Sequence, residues 1–121
     1  MTKADLRRAE KRLLKCALAF PEAYEDHPWG ENVAKVGKKV FVFLGTPEQD
    51  GMSVCAKLLD SADFALTFPF AEPAGYGLGK AGWVLARFGP TDEVPVDMLE
   101  DWIDESYRAV APKKLVKELD A

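Results

Sequence analysis

A chain of 121 residues, 48% hydrophobic and 30% charged, has room for one domain with a core of ordinary size. That profile excludes a disordered chain, a fibrous repeat and a disulfide-stapled miniprotein, and no uncharged apolar run reaches the roughly 18 residues a membrane span needs. The formal net charge of −4 argues against the positive footprint usual in nucleic-acid binders, but the charge is unevenly spread.

Residues 3–19 read as an amphipathic helix. Leu6, Ala9, Leu13, Cys16, Ala17 and Phe20 share about a third of the wheel, the width of a core-facing stripe. Lys3, Arg7, Lys11 and Lys15 recur at i, i+4 on the opposite half, as do Arg8 and Arg12. Like charges so spaced destabilise an isolated helix, so an acidic surface is expected nearby, in this chain or in a partner. Pro21 ends the helix. Residues 21–31 then read as an acidic, proline-punctuated loop.

Asn32–Val36 and Lys39–Leu44 read as strands around Gly37-Lys38, a tight hairpin signal. A turn over 46–51 leads to a third strand, Met52–Lys57. Connections this short require an antiparallel sheet. Ser61 to Thr67 suggests a short helix capped by Asp60 or Ser61. Residues 69–82 are rich in Pro and Gly, with room for an edge strand near Tyr76. Trp83–Phe88 is a strand, Pro95 suits the first turn of a helix running through Val110, and Lys113–Leu119 is a short terminal helix. The order predicts a single domain over 1–121, an α+β two-layer fold with an antiparallel sheet packed by helices.

The chemistry-bearing motifs are few. Gly77-x-Gly79-x-x-Gly82-x-Val84 fits a phosphate-loop pattern, but a strand follows where a dinucleotide fold needs a helix, and no kinase loops exist. A glycine-rich turn at a sheet edge is the plain reading. One histidine, His27, and no GxSxG elbow leave no catalytic constellation. Ser106, mid-helix, is expected to bond back to a carbonyl. One His and two separated Cys cannot build a tetrahedral metal site, and the acids of 92–105 read as a solvated face. No catalytic residue, metal or cofactor is therefore assigned. Cys16 and Cys55 lack CxxC spacing and the charged N-terminus lacks a signal-peptide core, so a cytoplasmic protein with reduced thiols is expected.

Two features ask for a partner. The basic helix face either pairs with the chain's own acidic residues 92–105 or meets phosphate or an acidic partner. The sheet is apolar on both sides: by alternation Val40, Val42 and Leu44 oppose Phe41 and Phe43, and Trp83, Leu85 and Arg87 oppose Val84, Ala86 and Phe88. The expected arrangement covers this second face with a helix or a second subunit. Left open, it presents aromatics edged by Lys57, Lys80 and Arg87, the chemistry of a base-stacking platform.

Leu18 through Trp29-Gly30, with Pro-Glu-Ala and acidic residues between, is followed by Gly37-Lys38-Lys39-Val40-Phe41, by Lys80-x-Gly82-Trp83-Val84 and by Ser106-Tyr107. In that order and spacing, from about Leu6 to Leu115, the chain resembles the MmcQ/YjbR family of small bacterial proteins. The resemblance implies an α+β fold similar to the type III secretion chaperone fold. It also implies DNA binding without catalytic residues. Trp29, Gly30, Lys80, Gly82, Trp83, Ser106 and Tyr107 are the matching positions.

Two functions follow as expectations. The first is a non-enzymatic DNA-binding protein, weakly sequence-specific and steeply salt-dependent, using Arg7, Arg8, Lys11 and Arg12 on phosphates with Lys80 and Trp83 beside the sheet. The second is a protein-interaction or small-ligand-binding module using the acidic loop Glu25-Asp26-His27-Pro28-Trp29 and the aromatic sheet face. No membrane partner is expected.

Overall fold

The computed structural model describes residues 2–46 and 49–121. Among them run α1 (Lys3–Leu18), β1 (Ala23–Asp26), β2 (Val33–Val36), β3 (Lys39–Phe43), β4 (Met52–Lys57), α2 (Ala62–Ala65), β5 (Ala71–Pro73), β6 (Trp83–Phe88), α3 (Val96–Val110) and α4 (Lys113–Asp120). The strands form one antiparallel sheet in the order β1-β2-β3-β4-β6-β5. The α+β architecture with an antiparallel sheet is thus the observed one. Part of the turn expected over 46–51 lies outside the described residues.

The N-terminal helix begins where its chemistry says it should. Thr2 Oγ1 accepts from Asp5 N at 3.2 Å, and Asp5 Oδ2 accepts from Thr2 N at 2.9 Å, a reciprocal capping box. Its stripe of Leu6, Ala9, Leu13 and Ala17 is buried against the sheet and α3. Leu99, Trp102, Ile103 and Tyr107 of α3 face the same core, with Val42, Val54, Ala56, Val84 and Ala86 from the strands and Leu44 just past β3.

Four expectations about the elements need correction. The acidic segment 21–31 is not all loop: Ala23–Asp26 adds an edge strand to β2 and Pro28–Gly30 makes a 3₁₀ turn. The edge strand anticipated near Tyr76 is displaced to Ala71–Pro73, with Tyr76 in the turn beyond it. The helix expected over 61–67 shortens to Ala62–Ala65, and neither Asp60 nor Ser61 caps it through its side chain. Instead Glu105 of α3 reaches across: its Oε2 accepts from Asp60 N and Ser61 N at 3.1 Å, and its Oε1 from Ser61 Oγ at 2.7 Å.

The fourth correction concerns the faces of the sheet. Lys35 pairs with Val40 and Ala34 with Val42, so one step along β2 spans two along β3, and Phe41 is the extra residue. Such a bulge breaks the alternation. Phe41 and Val42 are both fully buried on the helix side, while Phe43 turns to the other face.

The bulge also explains the Ser106-Tyr107 pair. The β3–β4 ladder holds two pairs, Val42–Ala56 and Phe43–Cys55. Next to them the fully buried Ser106 hydroxyl accepts from Lys57 N at 2.8 Å and donates to the Phe41 carbonyl. A side chain from α3 thereby replaces a missing rung, rather than bonding back within its own helix as expected. Tyr107 stacks on Phe20 with ring centroids 4.7 Å apart and meets Phe41 edge-on at 5.2 Å. Its hydroxyl donates to the Pro21 carbonyl at 2.7 Å, which ties the end of α1 to α3.

Candidate nucleic-acid interface

The helices cover one side of the sheet only. The buried residues of α1, α2, α3 and α4 share a single core cluster, and Val33, Phe43, Cys55, Trp83 and Leu85 are outside it. Register places these five on the opposite face, because Val33 pairs with Phe43, Phe43 with Cys55 and Cys55 with Leu85, while Lys57 pairs with Trp83. Among the described residues, no helix of this chain packs on that face.

Phe43 and Trp83 meet edge-on there, with ring centroids 5.6 Å apart. Tyr24 of β1 pairs with Lys35, which puts its ring on the same side, and its hydroxyl donates to the Gly37 carbonyl. Trp83 is half-buried and Tyr24 is exposed. The face is therefore aromatic and partly reachable.

Lysines collect at one of its ends. The Gly37-Lys38 turn, the start of β3 at Lys39, the end of β4 at Lys57 and the Leu78–Ala81 turn with Lys80 all come to one end of the sheet, because neighbouring strands are antiparallel. None of these four lysines forms an ion pair among the described residues. Asp26, Glu31, Asp50, Asp92 and Glu93 sit toward the other end. There a polar depression of about 400 Å³ includes Glu31, Ser53 and Arg87 in its lining, and burial raises the Glu31 carboxyl above the usual range.

The basic helix is differently placed. Arg12 reaches Asp97 Oδ1 at 2.8 Å and Glu100 Oε1 at 3.1 Å on α3, so the chain's own acidic helix does pair with it. Arg8 pairs with Asp5, and Arg7 with Glu10 at 2.8 Å while also donating to the Gly51 carbonyl. Lys3 pairs with Asp50 at 2.8 Å. Lys11 has no such partner among the described residues. Because α1 packs on the helix side and Trp83 faces away from it, the sequence-predicted set Arg7, Arg8, Lys11, Arg12, Lys80 and Trp83 does not converge on one surface.

The remaining motif positions separate into structural and exposed. Gly82 has φ +94°, and a Cβ there would lie 3.2 Å from the Leu58 carbonyl oxygen, so the close turn before Trp83 requires glycine. Trp29 is fully exposed at φ +57°, followed by Gly30 at φ +78°. His27 lies beside it with Nδ1 2.8 Å from Asn32 Oδ1 and Nε2 3.0 Å from Glu25 Oε2. Sequence reasoning did not single out Lys38, which the hairpin turn brings to the same end of the sheet as Lys57 and Lys80, while the adjacent Lys39 pairs with the core residue Val36 and lies on the helix side. Adjacency to the hairpin glycine was the available signal for Lys38.

A six-stranded antiparallel sheet with one helix-covered face and one aromatic face defines an α+β class, not an activity. The YjbR family model matches residues 18–109, so the chain belongs to the YjbR family. The fold is similar to that of the Deinococcus radiodurans protein DR2400, whose crystal structure contains a DUF419 domain. The TM-score is 0.69 at 24% identity, over 91% of this chain and 86% of that one. No curated protein matches the chain. No helix among the described residues is long and apolar enough to cross a membrane.

Proposed function

We propose that this YjbR-family chain is a non-enzymatic nucleic-acid-binding protein that takes single-stranded DNA across the lysine-bearing end of the sheet face that its long helices leave free. One observation carries the reading. Lys38, Lys57 and Lys80 lack acidic partners among the described residues and come to the end of the sheet at which Lys57 pairs with Trp83, whereas Arg7, Arg8 and Arg12 are engaged by carboxylates of the same chain. Unpaired cations beside aromatic rings suit phosphates and stacked bases together. No base-reading helix enters a groove, so sequence preference is weak.

The test is fluorescence anisotropy with labelled single-stranded and duplex oligonucleotides at two salt concentrations. Single strands bind more tightly, and log K falls against log salt with a slope of about −2 to −3, as three or four phosphate contacts dictate. Lys57→Glu with Lys80→Glu weakens binding at least ~10-fold, about 1.4 kcal/mol. Arg8→Gln on the helix side changes it little. Flat traces at low salt overturn the reading.

The exposed Trp29 favours a second reading, a protein partner held at the acidic turn Glu25–Trp29. An exposed aromatic in a left-handed conformation contributes nothing to this chain's core and has the character of an interface anchor. Flat DNA traces together with loss of self- or partner association in Trp29→Ala would favour it.

A further inference from the structure

The connection between β5 and β6 carries a bare aromatic ring. Tyr76 is fully exposed at φ +57°, in the left-handed region that side chains other than glycine disfavour, and Gly77 follows at φ +78°. The turn around it is over-determined. Ala74 N donates to the Trp83 carbonyl at 3.0 Å and Leu78 N to the Gly75 carbonyl at 3.1 Å. Gly79 N reaches the Ala74 carbonyl and Gly82 N the Gly79 carbonyl, each at 3.1 Å. A Cβ at Gly79 would lie 2.8 Å from Pro73 Cβ and 3.2 Å from the Ala74 carbonyl oxygen, so the turn is packed as well as bonded. Such a frame holds a strained residue in place, yet the ring it presents adds nothing to the core.

The place of the turn gives the ring a use. β5 ends at Pro73 and β6 begins at Trp83, so residues 74–82 lie at the lysine-bearing end of the sheet. Exposed Lys80 belongs to the same turn, its N–H bonded to the Gly77 carbonyl at 3.3 Å. Leu58 N donates to the Gly82 carbonyl at 2.8 Å, which ties the turn to the end of β4 beside Lys57. Trp29, the other fully exposed ring at positive φ, stands instead in a turn next to Glu25 and Asp26. Charge sorts the two: carboxylates repel a polyanion, whereas lysines without acidic partners hold phosphates and leave the base to the ring. We propose that Tyr76 is a stacking finger, its ring taking the face of one unpaired nucleobase while Lys57 and Lys80 hold the flanking phosphates. The inference rests on the single-strand reading above and narrows it to ligands that present an unpaired base. Any of the four bases serves, because each offers a π-face.

Anisotropy on the full chain tests it with two labelled probes, an oligothymidylate and an abasic strand of the same length and charge. Tyr76→Ala weakens oligothymidylate binding ~5-fold or more, and Tyr76→Phe, which keeps the ring, binds as the native chain does. The abasic strand binds the native chain and Tyr76→Ala equally, and both variants keep the native urea midpoint. Undiminished oligothymidylate binding by Tyr76→Ala overturns the proposal and leaves the single-strand reading standing. A loss of equal size on the abasic strand also overturns it, because the ring then acts on something other than a base. If the native chain binds neither strand at low salt, the proposal and the reading beneath it fall together.

Discussion

Ser106 joins three elements through one oxygen. Replacing it with Ala strands the Lys57 amide and the Phe41 carbonyl, both beside a fully buried position. Each orphaned group costs ~1–3 kcal/mol, so Ser106→Ala lowers the unfolding free energy in urea by about 2–3 kcal/mol without changing the slope of the transition. A loss below about 0.5 kcal/mol would show that the hydroxyl is not the missing rung. The thiols give a second residue-scale prediction. Burial, with Glu31 adding to it, pushes Cys55 up to about 12, and burial likewise raises Cys16. Thiolate is the reactive form, so iodoacetamide labels the folded protein slowly at pH 8 and rapidly in urea, with Cys55 the slower of the two.

Among the elements, α2 is a single turn held from outside. Glu105 supplies the acceptors that its own cap residue does not. Glu105→Ala therefore costs about 1 kcal/mol and speeds amide exchange over residues 62–66 ahead of the rest of the chain. The terminal helix is tied by Arg108, which bonds Asp104 at 2.6 Å and Asp120 at 2.9 Å. The hydrogen bond from Arg108 holds the Asp120 carboxyl below its ordinary 3.8. A lowered folded pKa adds stability that is fully present above 3.8 and is lost as pH falls through the folded value. Amide exchange in α4 should consequently accelerate below pH 3.8 while α3 stays protected, and Asp120→Asn should remove that pH dependence. The long helices and β2, β3, β4 and β6 were legible because each carries a periodic apolar stripe. Tyr24, Glu25 and Asp26 carry none, and β5 is three residues ending in Pro73, so edge strands held by backbone pairing alone left no pattern to read. Phe41 was assigned to the wrong face because a bulge depends on the partner strand's register, which a single segment does not encode.

At the scale of the molecule, the basic and acidic segments that the sequence separates by some 80 residues are neighbours, and Arg12 joins them. That contact explains why the N-terminal helix reads as a phosphate surface in sequence and yet has its three arginines paired within the fold. The aromatic and lysine-bearing region was half legible: Lys57, Lys80 and Trp83 were recognisable, while Lys38 comes to their end of the sheet only through strand order. Lysines without an acidic partner among the described residues collect at one end of the sheet, and net charge −4 is a poor guide to that local distribution. Lys38→Glu should weaken oligonucleotide binding measured by anisotropy, whereas Lys39→Glu, whose register partner Val36 faces the helices, should change it little. Both should leave the urea midpoint unchanged, because neither lysine belongs to the core.

The extra residue at Phe41 has a bearing on chain length. An insertion or deletion inside a strand ordinarily exchanges everything beyond it between core and solvent. Here one surplus position is already absorbed, and its liberated carbonyl has Ser106 waiting for it. Removing Phe41 would restore an unbroken two-residue repeat along β3 and delete the ring that Tyr107 and Phe20 close upon. A relative one residue shorter at this place must therefore lack the serine hydroxyl's duty as well. Wherever an alignment of such chains opens a gap between 39 and 43, the residue opposite 106 should change with it.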